Sequence, residues 1–400
     1  MGSSVPTTLT VEPRLMKAPT LLWKYEYTKR PPTTVAAIRM TAPTRLDRDL
    51  LPLALTSSHQ LSKGPRRAFR FQGRNANKPE HDVKRGVFMA KYEPVEDVKV
   101  SPDTPLSDLI ELYGKEYGFM AGHLWRAAQV LGEGLKDSEL RVLSFTGNLI
   151  STGLRGVITQ LIRERLFNVV ITTCGALDHD IARATGGKYL KGFFEADDVD
   201  LARHDIHRLG NVFIRVEDYG PRVEKFVRDL VARAVSEREE WGLYELLKLA
   251  GQMIEDKDSF LRAAYEADTD VFVPGWADGA FGTDLFFESQ RGLGVKINYF
   301  KDMKRLADLF FGTKGKATAL IIGGGISKHH AIWWSQFRGG LDYVVYVTTA
   351  VEWDGSLSGA MTREAITWGK VKPTAKHVTV YGDATIILPL LAAYLLKHKG

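Results

Sequence analysis

The chain has one cysteine, Cys174, in 400 residues. A single thiol cannot close an intrachain disulfide, and it excludes zinc sites built from cysteine pairs. Long apolar runs are also missing: none reaches the roughly 18 residues of a spanning helix. The apolar stretch 386–396 is shorter, holds Pro389, and reads as a buried helix closing the fold. Residues 1–20 lack the basic start and apolar core of a secretory leader. The expectation is a cytoplasmic protein without membrane contact. A full G-x-G-x-x-G fingerprint is absent too, so that motif cannot argue for a dinucleotide.

What is present suits a large core: 44% hydrophobic and 26% charged residues. The net charge of +6 is unevenly spread. Residues 1–90 hold 16 Lys or Arg against 6 Asp or Glu, which leaves the remainder at −4. This front segment is rich in Pro, Thr, Arg and Ser, as in Lys29-Arg30-Pro31-Pro32-Thr33-Thr34. Its apolar periodicity is weak, so residues 1–85 are expected to form a basic, poorly ordered extension. An upstream start, with Met89 the true beginning, is a second explanation. A functional one is weak contact with RNA or an acidic protein. Residues 86–400 are expected to form a single domain.

From about residue 100 the pattern becomes regular. Leu106, Leu109, Ile110 and Tyr113, then Leu124, Ala127, Ala128 and Leu131, repeat at helical spacing. Further on, short β-rich runs alternate with helical stretches such as 236–253 and 300–311. The strands are expected at 142–145, 169–173, 212–216, 271–274, 319–322, 343–348 and 378–381. Most are continuous apolar runs, as strands buried on both faces of a parallel sheet read. The fold class is therefore α/β: doubly wound, mostly parallel and Rossmann-like, with helices on both faces.

Such sheets bind ligands at the carboxyl ends of their strands. There the chain places Thr146-Gly147-Asn148, Thr172-Thr173-Cys174-Gly175, Asp278-Gly279-Ala280, Gly323-Gly324-Gly325, Thr348-Thr349-Ala350, Asp354-Gly355-Ser356 and Gly382-Asp383. Small residues allow close backbone approach, helix starts suit phosphates, and aspartates accept ribose hydroxyls. Any one of these loops is equally an ordinary turn. Their recurrence points to a dinucleotide.

Residues 362–370 differ in kind. In a helix Glu364 and Trp368 would share a face, and a carboxylate beside an indole suits an organic cation. Lys370 follows Gly369; against an apolar wall it could lose its proton and attack a carbonyl or imine carbon. Read alone, Trp-Gly-Lys also describes a helix end with an exposed lysine. One of His329 and His330 could move a proton. His204 and His207 could share a helix face but lack a third metal ligand. No metal is expected. Cys174, at a buried strand end, reads as a small hydrophobe.

Taken together, Asn148-Leu149-Ile150-Ser151-Thr152-Gly153, Thr172-Thr173-Cys174-Gly175, Asp278-Gly279-Ala280-Phe281-Gly282, Gly323 to His330, Tyr346 to Ala350, Asp354 to Ala360 and Glu364 to Lys370 resemble deoxyhypusine synthase of archaeal type. The resemblance runs in consistent order from about residue 100 to the end. It implies oxidation of spermidine with NAD, capture of the aminobutyl group on a lysine as an imine, and release of 1,3-diaminopropane. The group then passes to one lysine of translation initiation factor 5A, and the stored hydride reduces the new imine. By the same resemblance Lys370, not Lys328, is the nucleophile and His329 the substrate-site histidine. Glu364 and Trp368 hold the polyamine. The NAD contacts carry over to Asn148, Ser151, Thr173, Gly175, Asp278, Gly323, Gly324, Thr349, Asp354, Ser358 and Asp383. A homotetramer with sites at subunit interfaces is implied.

Eukaryotic relatives carry acids where this chain has Thr283 and Leu357, an amide at Trp333, and a carboxylate at His179. Asp284 is a candidate to replace one lost acid. The alternative activity is a homospermidine synthase-like transfer to a small amine such as putrescine.

Overall fold

The computed structural model describes residues 92–399. The expected extension at residues 1–85 lies outside the described residues. The central sheet holds β1 (Ser138–Ser144), β2 (Val169–Ile171), β3 (Asp270–Phe272), β4 (Lys316–Ile322), β5 (Leu341–Thr348) and β6 (Val371–Tyr381). Its order is β6-β5-β4-β1-β2-β3 and every pair is parallel. This is the doubly wound order of dinucleotide-binding folds. The chain builds β1 to β3 outward on one side, then returns to build β4 to β6 on the other. The resulting switch point lies between β1 and β4.

The strands read as unbroken apolar runs because both faces are covered. Leu143, Val170, Leu320, Val345 and Val380 join one core with the helices Phe119–Asp137, Leu154–Arg163 and Ala384–Lys397. Val142, Val169, Ile321, Val344 and Tyr346 join another with the helices Tyr299–Gly312 and Gly325–Gln336. The C-terminal helix keeps Pro389 inside it, and the Asp383 carboxylate caps its start by accepting from the Thr385 N–H at 2.6 Å.

Two sequence expectations need correction. The run at 212–216 is a strand, Val212–Arg215, but not of the main sheet. It forms an antiparallel sheet with Tyr189–Lys191 and Ile206–Leu209. Of its four residues only Ile214 is buried, so an apolar run had concealed a mostly half-covered strand. The helix expected over 236–253 is two helices, Gly220–Glu237 and Leu243–Met253. Between them Glu240–Trp241 pairs with Lys296–Ile297. The second helix starts afresh because buried Asp302 accepts from the N–H groups of Leu243 and Tyr244, at 2.6 and 2.8 Å. That cap comes from 59 residues along the chain, and no local pattern announces it.

Candidate active site

The loops after the strands interlock along the carboxyl edge of the sheet. The Gly147 N–H donates to Thr173 Oγ1 at 3.0 Å, and a Cβ on Gly147 would sit 2.7 Å from the Gly175 carbonyl carbon. Gly323 has φ +82° and would press a Cβ to 3.2 Å from Thr146. A Cβ on Gly324 would meet Ser358 Oγ at 2.0 Å, so only glycine allows the β4 and β5 loops to close. The Ser358 hydroxyl accepts from the Gly325 N–H at 3.2 Å.

The helix Gly325–Gln336 thus opens beside the switch point, and its first N–H groups suit a pyrophosphate. Asn148, Asp278, Thr349, Asp354 and Asp383 are exposed on the loops of this edge, whereas Ser151 is buried. One Asp354 oxygen accepts from the Ser356 N–H at 2.7 Å, as Asp383 does from Thr385. These two carboxylates therefore also shape their own loops. Glycine close approaches, a helix start and exposed carboxylates fit a dinucleotide.

A second feature lies against the sheet face that carries Tyr346. The helix Gly325–Gln336 and the segment 357–370 enclose a cavity of about 260 Å³. Lys328, His329, Trp333, Tyr346, Glu364, Trp368 and Lys370 line it, together with Leu357 and Met361. The short helix Glu364–Thr367 ends because Gly369 adopts φ +67° and its N–H returns to the Ile366 carbonyl. That reversal carries Lys370 inward, where the Lys370 N–H donates to the Ala365 carbonyl. Lys370 is only 7% exposed, and its Nζ lies 5.3 Å from the centre of the Trp368 ring. Trp368 itself is 65% exposed. So the Trp-Gly-Lys triplet is a helix end, but its lysine is not a surface one.

Burial pushes the Lys370 ammonium below the ordinary lysine value; the Glu364 carboxylate opposes this without cancelling it. His329 stacks on Trp333 with ring centres 5.7 Å apart. Burial, then the charge of Lys370, hold its ring below the ordinary histidine value. His330 points elsewhere: its Nε2 accepts from Trp334 Nε1 at 3.2 Å, and burial pushes it down to about 4. Of the pair, only His329 lines the cavity.

Sequence reasoning missed Lys328 and Tyr346 as cavity residues. Lys328 is 1% exposed, donates to the carbonyls of Ala360 at 2.7 Å and Ser358 at 3.3 Å, and sits over the Tyr346 ring. Burial lowers it to about 8. The Tyr346 hydroxyl is buried and has no hydrogen-bond partner among the described residues. A lysine in the first turn of a helix behind a glycine triplet was the available signal for Lys328. Nothing local marks Tyr346.

Other candidates fall elsewhere. Asp284 is half-buried and is not among the residues lining the cavity. Burial and the charges of Glu224, Asp178 and Glu288 raise it to about 6. His179 bonds to the Tyr189 hydroxyl at 2.8 Å, and burial holds it at about 4. His204 and His207 do not share a helix: the first caps Asp198–Arg203 and the second lies in the strand Ile206–Leu209. Cys174 is 1% exposed, and burial together with Asp178 pushes its thiol up to about 12.

The family model for deoxyhypusine synthase matches residues 108–395. A protein of Aeropyrum pernix described as a probable deoxyhypusine synthase is 64% identical over 309 residues, covering 77% of this chain and all of the relative. One from Sulfolobus acidocaldarius with the same description is 54% identical over 303 residues, covering 76% and 97%. The crystal structure of a candidate deoxyhypusine synthase from Entamoeba histolytica superposes with a TM-score of 0.55 at 16% identity, covering 76% and 97%. At that identity the match speaks for the fold.

Proposed function

From the premise that this chain belongs to the deoxyhypusine synthase family, we propose that it uses NAD to move the aminobutyl group of spermidine through Lys370 to one lysine of translation initiation factor 5A. The observation that carries this reading is the convergence of an inward lysine, an indole and a carboxylate on one cavity. The Trp368 ring and Glu364 receive a cationic amine. Lys370, with its proton weakly held, attacks the carbon of the oxidised substrate; its new C–N bond forms as the bond to 1,3-diaminopropane breaks. His329 lies within the same cavity to take the proton that Lys370 gives up.

Asn148, Ser151, Thr173, Gly175, Asp278, Gly323, Gly324, Thr349, Asp354, Ser358 and Asp383 are the residues proposed to hold NAD. When bound, NAD supplies the acceptor for the substrate hydride and returns that hydride to the product. Exposed aromatic side chains at Phe286, Phe287, Phe300 and Trp353 support the proposed homotetramer. Among the described residues no helix is long and apolar enough to cross a membrane.

Labelled spermidine, NAD and either factor 5A or putrescine separate the two acceptors. Label on the protein factor is the expected result. Label found only in a small polyamine would assign the chain to transfer between small amines instead.

Glu364→Gln should raise the KM for spermidine about tenfold, with a smaller change in kcat, because one charge contact is lost in ground and transition states alike. Steady-state kinetics with spermidine varied gives the split; an unchanged KM would remove Glu364 from the binding site. The division into residues 1–85 and 86–400 remains part of the proposal. Deleting residues 1–85 should leave transfer activity within about twofold. Loss of folding by circular dichroism, or of activity, would show that the segment belongs to the catalytic unit.

A further inference from the structure

At the amino edge of the sheet, away from the strand-end loops, the structure holds a separate cavity of about 410 Å³. It lies among the last turns of the helices Phe119–Asp137, Leu154–Arg163 and Ala384–Lys397, beside β1. Leu135, Leu166 and Leu395 give it an apolar lining, and Lys136, Arg141 and Arg165 add positive charge. The only carboxylate in the lining is Glu164, which is already paired with Lys399 at 2.6 Å.

Arg141 is the central observation. Its backbone is clamped: the N–H donates to Asn168 Oδ1 at 2.8 Å, and the carbonyl accepts from the Asn168 N–H at 3.0 Å. Its side chain has no such partner. Nε is buried and, among the described residues, it makes no hydrogen bond and the side chain has no ion-pair partner. Burial alone acts on the guanidinium, lowering it, with no opposing anion. A cation held this way leaves its donors to an outside acceptor.

Arg165 adds an independent sign. It sits at the end of the helix Leu154–Arg163 with φ +55°, where its N–H returns to Ile162 and that of Leu166 to Leu161. Glycine serves that turn without strain. An arginine stands there instead, and it lines this cavity.

The basic groups could merely balance the helix ends. Three carboxyl-terminal helix ends carry about half a negative charge each. Lys136, Arg141 and Arg165, which make no ion pair among the described residues, exceed that by more than one charge. We propose that this cavity binds a small organic phosphate, its phosphoryl oxygens on Arg141, Arg165 and Lys136 and its apolar part against the three leucines. The volume falls in the ordinary range of small-ligand sites, roughly 300–1,000 Å³.

The test is calorimetric titration of AMP into the full chain saturated with NAD, with adenosine and inorganic phosphate as separate arms. AMP and phosphate should bind and compete, and adenosine should not. Arg141→Gln and Arg165→Gly should each weaken AMP at least about tenfold. Arg165→Gly relieves the left-handed backbone, so its thermal unfolding should stay near wild type and its lost binding cannot be blamed on misfolding. Asp354→Ala, on the strand-end loops, should bind AMP as wild type does. The proposal is overturned if wild type gives no heat with AMP. It is equally overturned if both arginine variants bind AMP normally, or if Asp354→Ala alone loses it.

Discussion

Lys370→Ala should lower aminobutyl transfer by about 10³-fold or more, the scale seen when a covalent nucleophile is removed. Its Nζ lies against an exposed indole in a cavity open to a substrate, and burial weakens its hold on a proton. Lys370→Arg should fail as well, because guanidinium stays protonated. The rival amine is Lys328, in the same cavity. Its Nζ faces the carbonyls of Ser358 and Ala360 and is fully enclosed, so a substrate carbon cannot reach it without displacing that segment. Borohydride trapping with NAD and spermidine, followed by peptide mass spectrometry, decides between them. An adduct on Lys328, or undiminished transfer by Lys370→Ala, would end the assignment.

The same lysine sets a pH dependence. Attack needs the neutral amine, so the rate of adduct formation should rise as pH increases through the folded-state value. Because burial lowers that value, the midpoint should fall below the ordinary 10.5. The sign for stability agrees. A lowered lysine costs folding free energy while it is charged, and that cost fades as pH climbs from the folded to the unfolded value. A midpoint at or above 10.5 would contradict the enclosed position.

The largest stability effect is expected at Asp180→Ala, about 3 kcal/mol by chemical denaturation. Asp180 is fully buried and accepts from Arg155 Nε at 2.7 Å, from Ser259 Oγ at 2.6 Å and from the Leu261 N–H at 3.1 Å. Burial alone would lower Arg155, but the carboxylates of Asp180 and Asp256 outweigh it and hold the guanidinium protonated. Removing Asp180 leaves a 4% exposed arginine with only Asp256 at 2.7 Å, and orphans the Ser259 hydroxyl and two backbone donors. The paired change Arg155→Met with Asp180→Leu should recover much of the loss, since no lone charge then remains inside. A cost below about 1 kcal/mol for Asp180→Ala would show that the network contributes little.

Six of the seven expected strands were legible because burial on both faces leaves no room for polar alternation, and that is visible residue by residue. The strand Val212–Arg215 was misassigned to the parallel sheet for the converse reason: three apolar letters in a row do not say how many faces are covered. The break before Leu243 depended on Asp302, a cap supplied across space. At the site, Trp368, Gly369 and Lys370 stood out together, since glycine is needed at φ +67° to turn the lysine inward. Lys328 and Tyr346 were not legible, because helix phase and strand pairing bring them to the same cavity from separate elements.

By itself the sequence determined the alternation of strands and helices, the supply of small residues at strand ends, and an indole two residues before a lysine. These are fixed by local composition and spacing, which travel with the chain. Tertiary structure alone decided which ionisable groups lost water and which kept it. Lys370 and Lys328 are chemically the same side chain, and Arg141 is one arginine among many. Only the surrounding packing makes one amine reachable, another enclosed, and one guanidinium unpaired, because desolvation depends on neighbours that are distant along the chain.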